Sequence, residues 1–519
     1  MSLPGVVKKR MKTLSPKFAH ATALAAGAFM LSAVFNGCTV GPKYHPPAPL
    51  AVTAANYKES TANFQDTDGW KVAQPSDALL HGKWWEIFND PELNALEEQL
   101  NINNQNIKQF FENYMSARAV VREARASYWP TVTTNPAYTR SRTSGNLRNS
   151  SSANVGSQSS VLSLPLDISW EPDLFGKIRN QVRADQYAAQ VSAADLENER
   201  LTEQASLAQF YFEIRGQDAL QKILNDTVEA DKKALDLTQS LYDTGVDDYI
   251  SVVQAKSALQ SAQASAINVG VARAQYEHAI AVLIGKTATD FSIPVRPLLT
   301  APPPIPIGVP SQLIERRPDI ASAERTLAEA NATIGIGYGA FFPSLTLSAT
   351  GGFQSSTAQH AFDWPSRFWS VGPSFSQTLF NGGLYRATLN QYTAIYNADV
   401  ASYRQTVLTA FQQVEDYLAA VRIYSQQIER QQEALKSAQQ YLDLQTGRYE
   451  TGLDPYVNVV TAQTTVLSDQ EALATLQIEQ MTSAVQLVKA LGGGWDVSQL
   501  PTPKQVTQKP TSTDYKRAN

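Results

Sequence analysis

The chain has 519 residues, a formal net charge of −5 at pH 7 and one cysteine, so an internal disulfide is excluded. The mild acidity and the lack of a basic block after residue 37 argue against nucleic acid as a partner. No His/Cys cluster has metal-ligand spacing and no phosphate-binding glycine loop is present, so we expect neither a cofactor nor an enzyme.

The N-terminus has the pattern of a secretory signal. Basic residues at positions 8–17 precede the apolar run FAHATALAAGAFMLSAVF, and a glycine precedes Cys38. Cys38 lies where a bacterial lipobox carries its acylated cysteine, although Phe35 and Asn36 depart from the usual residues. We therefore expect a signal peptide at 1–37 and a covalent lipid on Cys38. A plain signal peptide with a leftover cysteine is the alternative.

One fifteen-residue segment occurs twice in the chain. YDTGVDDYISVVQAK begins at Tyr242 and YETGLDPYVNVVTAQ begins at Tyr449, and they align without a gap with eight identical residues. Gly285 and Gly492 follow the two segments at the same spacing. Similarity at a fixed spacing predicts an internal duplication. Each half has the predicted order helix, strand, strand, long helix, turn, helix.

Two long segments are predicted to be helices, at 177–244 and 384–451. They are rich in Ala, Gln, Leu and Glu, which favour helices, and Gly216 is the only breaker in the first. Helices of this length would extend roughly 90–100 Å, which is too long for a compact domain. The repeated segment is then the turn at the far end of each helical hairpin.

The repeated turn contains a glycine and an aspartate in each copy. Gly245 and Gly452 can end the long helices, because a left-handed residue after a helix favours glycine. Asp247 and Asp454 follow two residues later, where an aspartate can cap the next helix.

Four amphipathic strands lie between the helices. They are predicted near residues 131–142 and 160–171 in one half and 343–353 and 368–380 in the other, with apolar residues alternating as in SLPLDISW. Four strands cannot close a transmembrane barrel, and open edges are not tolerated in lipid. A dimer would supply eight strands and a trimer twelve, and the residues alone leave this choice open. Four tryptophans suit the interfacial girdles of such a barrel: Trp129, Trp170, Trp364 and Trp369.

Three sequence motifs resemble bacterial outer membrane efflux proteins. WWEIFNDPELNALEEQL at 84–100 resembles the beginning of these proteins, and the tip turns TGVDDY and TGLDPY resemble theirs. The segment at 308–352, with ERRPDI and FFPSL, is similar to the lipoprotein subgroup that serves resistance–nodulation–division pumps. The resemblance extends from about Cys38 to Trp495.

The resemblance implies an α+β membrane protein that forms a homotrimer in the outer membrane of a Gram-negative bacterium. Twelve strands would form a β-barrel that continues into a long periplasmic α-helical barrel. The implied organisation is a signal peptide (1–37), an acylated N-terminus with an equatorial segment (38–97), a first repeat (98–285), a Pro-rich equatorial linker (286–317), a second repeat (318–492) and a C-terminal equatorial segment with a polar tail (493–519).

The implied function is an exit channel for a tripartite efflux system. The tip would dock with a periplasmic membrane fusion adaptor, which links it to an inner membrane resistance–nodulation–division pump. Small toxic organic compounds are the expected cargo. A copper cargo would need soft ligands such as methionine. After Cys38 the chain has only two methionines, Met115 and Met481. The alternatives are a protein-secretion duct, a coiled-coil surface protein without a pore, and the adaptor itself.

The tip residues are the candidate functional sites. Carboxylates that ring a narrow pore can bind or select cations, and tyrosines can constrict it. The alternative is that the aspartates are only helix caps. Some relatives carry gate aspartates one turn later, where this chain has Ser251, Asn458 and Thr461. The predicted gate consists of Asp247, Asp248, Asp454, Tyr249 and Tyr456, and the predicted adaptor-docking residues are Gly245, Val246, Gly452 and Leu453.

Overall fold

The computed structural model describes most of the chain after the predicted signal. Cys38 and residues 1–37 lie outside the described residues, so the lipid anchor is untested. The described residues are 39–47, 57–59, 82–144, 158–297, 300–305 and 313–511. They divide into two compact units. The first comprises the described residues within Met1–His45, Ala119–Gln186 and Ala328–Asn397, and the second those within Pro46–Arg118, Tyr187–Leu327 and Ala398–Asn519.

The strands of the first unit form one antiparallel sheet. They are β1 (Thr131–Thr134), β2 (Ala137–Arg142), β3 (Gln158–Trp170), β4 (Ser344–Ser355) and β5 (Arg367–Ser376). The order is β1-β3-β4-β5, and β2 also pairs with β3.

The sheet differs from the sequence prediction in two ways. The predicted strand near 131–142 is divided into β1 and β2 around Pro136, because proline has no N–H to donate to the ladder. The predicted strands of the two halves are also joined into one sheet, since β3 pairs with β4 from Leu162 opposite Ser355 to Trp170 opposite Leu347.

Nine helices are described. None of them combines the length and the apolar composition that crossing a membrane would require. Their bounds are α1 (Pro91–Asn103), α2 (Gln105–Ala126), α3 (Lys177–Asp243), α4 (Tyr249–Leu283), α5 (Leu313–Arg316), α6 (Pro318–Gly339), α7 (Leu384–Glu450), α8 (Tyr456–Ala490) and α9 (Pro503–Thr507).

Helices α3 and α7 each contain 67 residues, and α4 and α8 each contain 35. The long helices end within one residue of the predicted bounds, because the breakers Gly245 and Gly452 follow them closely. Gly216 does not interrupt α3. A Cβ at this position would overlap the Ile478 side chain of α8, so the glycine permits close packing of two helices in the second unit.

A buried ionic cluster fixes residues of the linker against helices α3 and α4. The Asp218 carboxylate accepts hydrogen bonds from Arg215 at 3.2 Å, from Arg273 at 2.7 Å and from the Arg296 backbone N–H at 2.8 Å. Arg215 also donates to the Pro294 carbonyl at 2.7 Å. Both Arg215 and Asp218 are fully buried, so removal of either partner would leave a costly buried charge.

The ERRPDI segment makes contacts that stabilise the fold. Pro318 begins α6, where its missing N–H costs nothing. Arg317 is 8% exposed, and it donates to Asp319 at 2.6 Å, to Gln413 at 2.9 Å and to the Ala490 carbonyl at 3.1 Å. Gly492 has a φ of +95°, and a Cβ there would overlap the Arg316 backbone.

Candidate functional site at the hairpin tips

Both hairpin tips have the same backbone. The first tip turn (244–248) joins α3 to α4, and the second tip turn (451–455) joins α7 to α8. Gly245 has a φ of +73° and Gly452 a φ of +67°, in the left-handed region that favours glycine. Val246 N–H donates to the Leu241 carbonyl at 2.9 Å, and the equivalent bond in the second turn is also 2.9 Å. Both turns therefore end a long helix with a Schellman motif.

The capping roles differ from the sequence prediction. In the first tip turn, Asp248 rather than Asp247 is the N-cap of α4, since its carboxylate accepts from the N–H groups of Ile250 at 2.8 Å and Ser251 at 3.3 Å. In the second tip turn, the N-cap of α8 is Pro455, which makes no side-chain cap. The prediction that Asp247 and Asp454 cap these helices is wrong, because both lie one residue too early.

Asp247 instead connects the two hairpins. Its Oδ2 accepts a hydrogen bond from the Tyr449 hydroxyl of α7 at 2.7 Å, and its Oδ1 accepts from the Asp248 backbone N–H at 2.8 Å. Partial burial opposes ionisation, but the hydrogen bonds from Tyr449, Asp248 and Ser251 outweigh it and lower the pKa of Asp247. Burial and the bond to Asp247 raise the pKa of Tyr449. The carboxylate is thus a charged acceptor at neutral pH.

Asp454 has a different partner. Arg448, in the last turn of α7, donates to it from Nε at 2.6 Å and from Nη2 at 3.1 Å. This two-pronged pair lowers the pKa of Asp454. The pair is local to the second tip turn, and the Arg448 side chain is about half exposed. It holds the turn to its own helix rather than to the other hairpin.

The two predicted gate tyrosines lie in opposite environments. Tyr249 is 60% exposed, whereas Tyr456 is 2% exposed. Tyr456 forms a core cluster with Ala255, Tyr449 and Val459, and burial raises its pKa to about 12. The Tyr456 side chain therefore packs in a core between helices here, and its place in the gate stays a prediction.

The predicted docking residues are all at the surface of the tip. Val246 is 66% exposed and Leu453 is 67% exposed. No atom lies within 4 Å of the position where a Cβ would be at Gly245 or Gly452. The tip therefore presents apolar and small residues around carboxylates.

Sequence reasoning missed Tyr449 and Arg448 as site residues. Tyr449 is the first residue of the second repeated segment, and its equivalent Tyr242 is 42% exposed. The repeat marked the position, but it gave no indication that only one copy is bonded to Asp247. Arg448 has a leucine, Leu241, as its equivalent, and a basic residue six positions before an aspartate is a weak signal.

Among the described residues, no group of three or more His, Cys, Asp or Glu side chains is arranged to hold a metal ion. The described tip offers hydrogen-bonded and paired carboxylates at an exposed surface. Its chemistry is electrostatic: it can attract cations, and it can hold two hairpins together.

Comparison with known proteins defines the class of fold. The solved structure of the outer-membrane channel OprN matches with a TM-score of 0.79 and 29% identity, over 88% of this chain and 100% of that one. The chain therefore has the fold of an outer membrane channel protein.

Sequence comparison identifies the family. A family model described as outer membrane efflux protein matches residues 96–286 and 309–493. The antibiotic efflux pump outer membrane protein ArpC of Pseudomonas putida is 31% identical over 474 residues, 91% of this chain and 95% of ArpC. The solvent efflux pump outer membrane protein SrpC of Pseudomonas putida is 33% identical over 470 residues, 90% of this chain and 97% of SrpC. The chain belongs to the outer membrane efflux protein family, which confirms the resemblance that the sequence motifs indicated.

Proposed function

We propose that the protein is the outer membrane exit channel of a tripartite efflux system. It would receive small toxic compounds from an inner membrane resistance–nodulation–division pump through a periplasmic adaptor, and release them outside the cell. ArpC is named as an antibiotic efflux pump protein and SrpC as a solvent efflux pump protein, and both names support this class of cargo. The hydrogen bond between Asp247 and Tyr449 is the observation that carries the gating part of the proposal.

We propose a homotrimer with a twelve-stranded barrel. The sheet has open edges at β1/β2 and at β5, and such edges must be paired in lipid. On β5, Trp369, Val371 and Phe375 alternate on one face and are 69–80% exposed. The other face carries Phe368 at its beginning and then Ser370, Gly372, Ser374 and Ser376. This pattern suits a lipid-facing strand. The equal lengths of the paired helices support the internal duplication, and hence equivalent hairpins around a periplasmic tunnel.

The tip is proposed as both gate and docking surface. In a trimer, Asp247, Asp248 and Asp454 of each chain would surround the mouth and favour cations. Exposed Val246 and Leu453 would contact the adaptor, because small and apolar tips permit close approach of another hairpin. Release of Asp247 from Tyr449 would free one hairpin to move relative to the other.

A covalent lipid on Cys38 is also proposed, on the sequence pattern alone. Metabolic labelling with a palmitate analogue would test it, with Cys38→Ser as the control. Label that is retained in Cys38→Ser would contradict this assignment, whereas label lost only in that variant would support it.

The deciding experiment is conductance of the purified protein in a planar lipid bilayer. Asp247, Asp248 and Asp454 are changed together to Ala and compared with the unchanged protein. We expect discrete channels with higher conductance and weaker cation preference in the variant. Channels that are identical in both proteins would reject the gating role but retain the pore. Absence of channels from both, together with absence of a detergent-stable oligomer, would reject the channel itself.

A further inference from the structure

A cavity of about 750 Å³ opens in the second unit, away from the tips. Helices α2 and α3 form two of its walls, and the C-terminal segment (495–511) forms the third. Its volume is within the range of small-molecule sites, which are clefts of roughly 300–1,000 Å³. The function of the tips does not involve this cavity.

The third wall is held by specific hydrogen bonds. Gln190 of α3 donates to the Pro501 carbonyl at 2.7 Å. Arg118 of α2 donates to the Gln508 carbonyl at 3.0 Å, just beyond the C-terminus of α9, where a cation is favourable. Thr502 and Gln505 form a capping box at the beginning of α9. The cavity is therefore bounded by ordered walls.

The lining combines aromatic and cationic side chains. Phe111, Met115 and Leu196 are each 6–7% exposed and supply an apolar floor. Arg118, Arg200 and Lys509 also line the cavity, and the carboxylate of Glu197, which is 2.9 Å from Arg200, is the single acidic group among the described lining residues. Positive charge thus exceeds negative charge around an apolar interior.

Trp495 supplies an aromatic wall of the cavity. It lines the cavity and is 7% exposed, and its Nε1–H has no hydrogen-bond partner among the described residues. A buried donor without an acceptor is costly, and buried tryptophan N–H groups usually have a partner. The indole can also pack against a flat ring.

We propose that this cavity binds a small organic anion with a flat apolar body. The apolar part would lie on Phe111, Met115 and the Trp495 indole, and its carboxylate or sulfonate would lie near Arg200 and Lys509. A cationic ligand would meet a surplus of like charge. Because the C-terminal segment is one wall, an occupied cavity would hold that segment against α2 and α3.

The test uses the full-length protein in non-ionic detergent and three naphthalene probes. Naphthalene-2-sulfonate is the anion, 2-naphthalenemethanol the neutral analogue and 2-naphthylmethylammonium the cation. Calorimetric titrations, corrected with empty micelles, should give one saturable site per chain for the sulfonate, at least tenfold tighter than for the ammonium. Hydrogen exchange in 495–511 should slow at saturation, because the bound ligand stabilises that wall.

Matched variants locate the site. Trp495→Phe and Arg200→Gln should each weaken sulfonate binding at least fivefold, and Lys509→Gln, at an exposed position, should weaken it about threefold without disturbing packing. Trp364→Phe and Lys436→Gln, at exposed positions elsewhere, should leave it unchanged. Equal binding of sulfonate and ammonium, an absence of saturation beyond micelles, or full binding by the Lys509→Gln and Trp495→Phe variants would each overturn the proposal.

Discussion

The two tip turns have one backbone and two different surroundings. Both end a long helix with a left-handed glycine and the same hydrogen bonds. In the first turn Tyr249 is exposed, whereas in the second its equivalent Tyr456 is buried. The repeated Thr-Gly pattern therefore determines the turn, and the helices that pack around it determine what each side chain does.

The largest difference between the turns should appear when their equivalent tyrosines are truncated. Tyr456→Ala removes a buried ring from the core cluster with Ala255 and Val459. It should lower the free energy of unfolding by about 3 kcal/mol, as large-to-small substitutions in cores do. Tyr249→Ala changes an exposed side chain, so its cost should be within about 0.5 kcal/mol. Hydrogen exchange of the tip amides would measure both. Equal losses of stability in the two variants would contradict the conclusion that Tyr456 is buried and Tyr249 is exposed.

A smaller difference is expected when only the hydroxyl groups are removed. Tyr449→Phe keeps the ring but removes the hydroxyl group that donates to Asp247. Because this hydrogen bond to a carboxylate is only partly buried, its loss should lower the free energy of unfolding by about 1 kcal/mol. Tyr242→Phe at the equivalent, exposed position is the control. We expect more frequent channel opening in bilayers for Tyr449→Phe alone. Similar opening in both variants would show that this bond does not restrain the tip.

Acidification should weaken the same bond in the unchanged protein. The folded-state pKa of Asp247 is lowered from 3.8, so its stabilising effect is present above about pH 4 and is lost as the pH falls through the lowered pKa. Channel opening should therefore increase below about pH 4. The increase should be absent in Asp247→Asn, which is already uncharged, and its persistence there would assign the pH response to another group.

The smallest effect is expected for the exposed ion pair of the second tip turn. Asp454→Asn removes one partner of Arg448 at a solvent-exposed site, where ion pairs contribute little and are screened by salt. Its effect on conductance should be smaller than that of Tyr449→Phe and should disappear at high salt. An effect that survives 1 M salt would mean that the pair is shielded from solvent in the assembled protein.

Sequence periodicity predicted the helices and strands well, because each depends on local residue patterns. Helices α3 and α7 follow from long runs without proline, and the turns from Gly245 and Gly452. The division of the first strand was harder to predict, although Pro136 gave a local reason for it.

Contacts between segments that are distant in the sequence could not be predicted from such local patterns. The bond from Tyr449 to Asp247 joins helices that meet only in the fold, and the burial of Tyr456 depends on four converging helices. The prediction of the helix caps failed for a simpler reason. An aspartate reaches the first free N–H groups of a helix only from the residue directly before the helix. The sequence did not determine the residue at which α4 and α8 begin.

The pairing of β3 with β4 has a consequence for folding kinetics. Four helices, α3 to α6, lie between these strands in the chain, so their ladder cannot form until the helical hairpin between them has brought its ends together. Closing so large a loop is entropically costly, and sheets with such distant partners form slowly. The sheet should therefore be the last part of the protein to mature, with β3 and β4 exposed to aggregation until then.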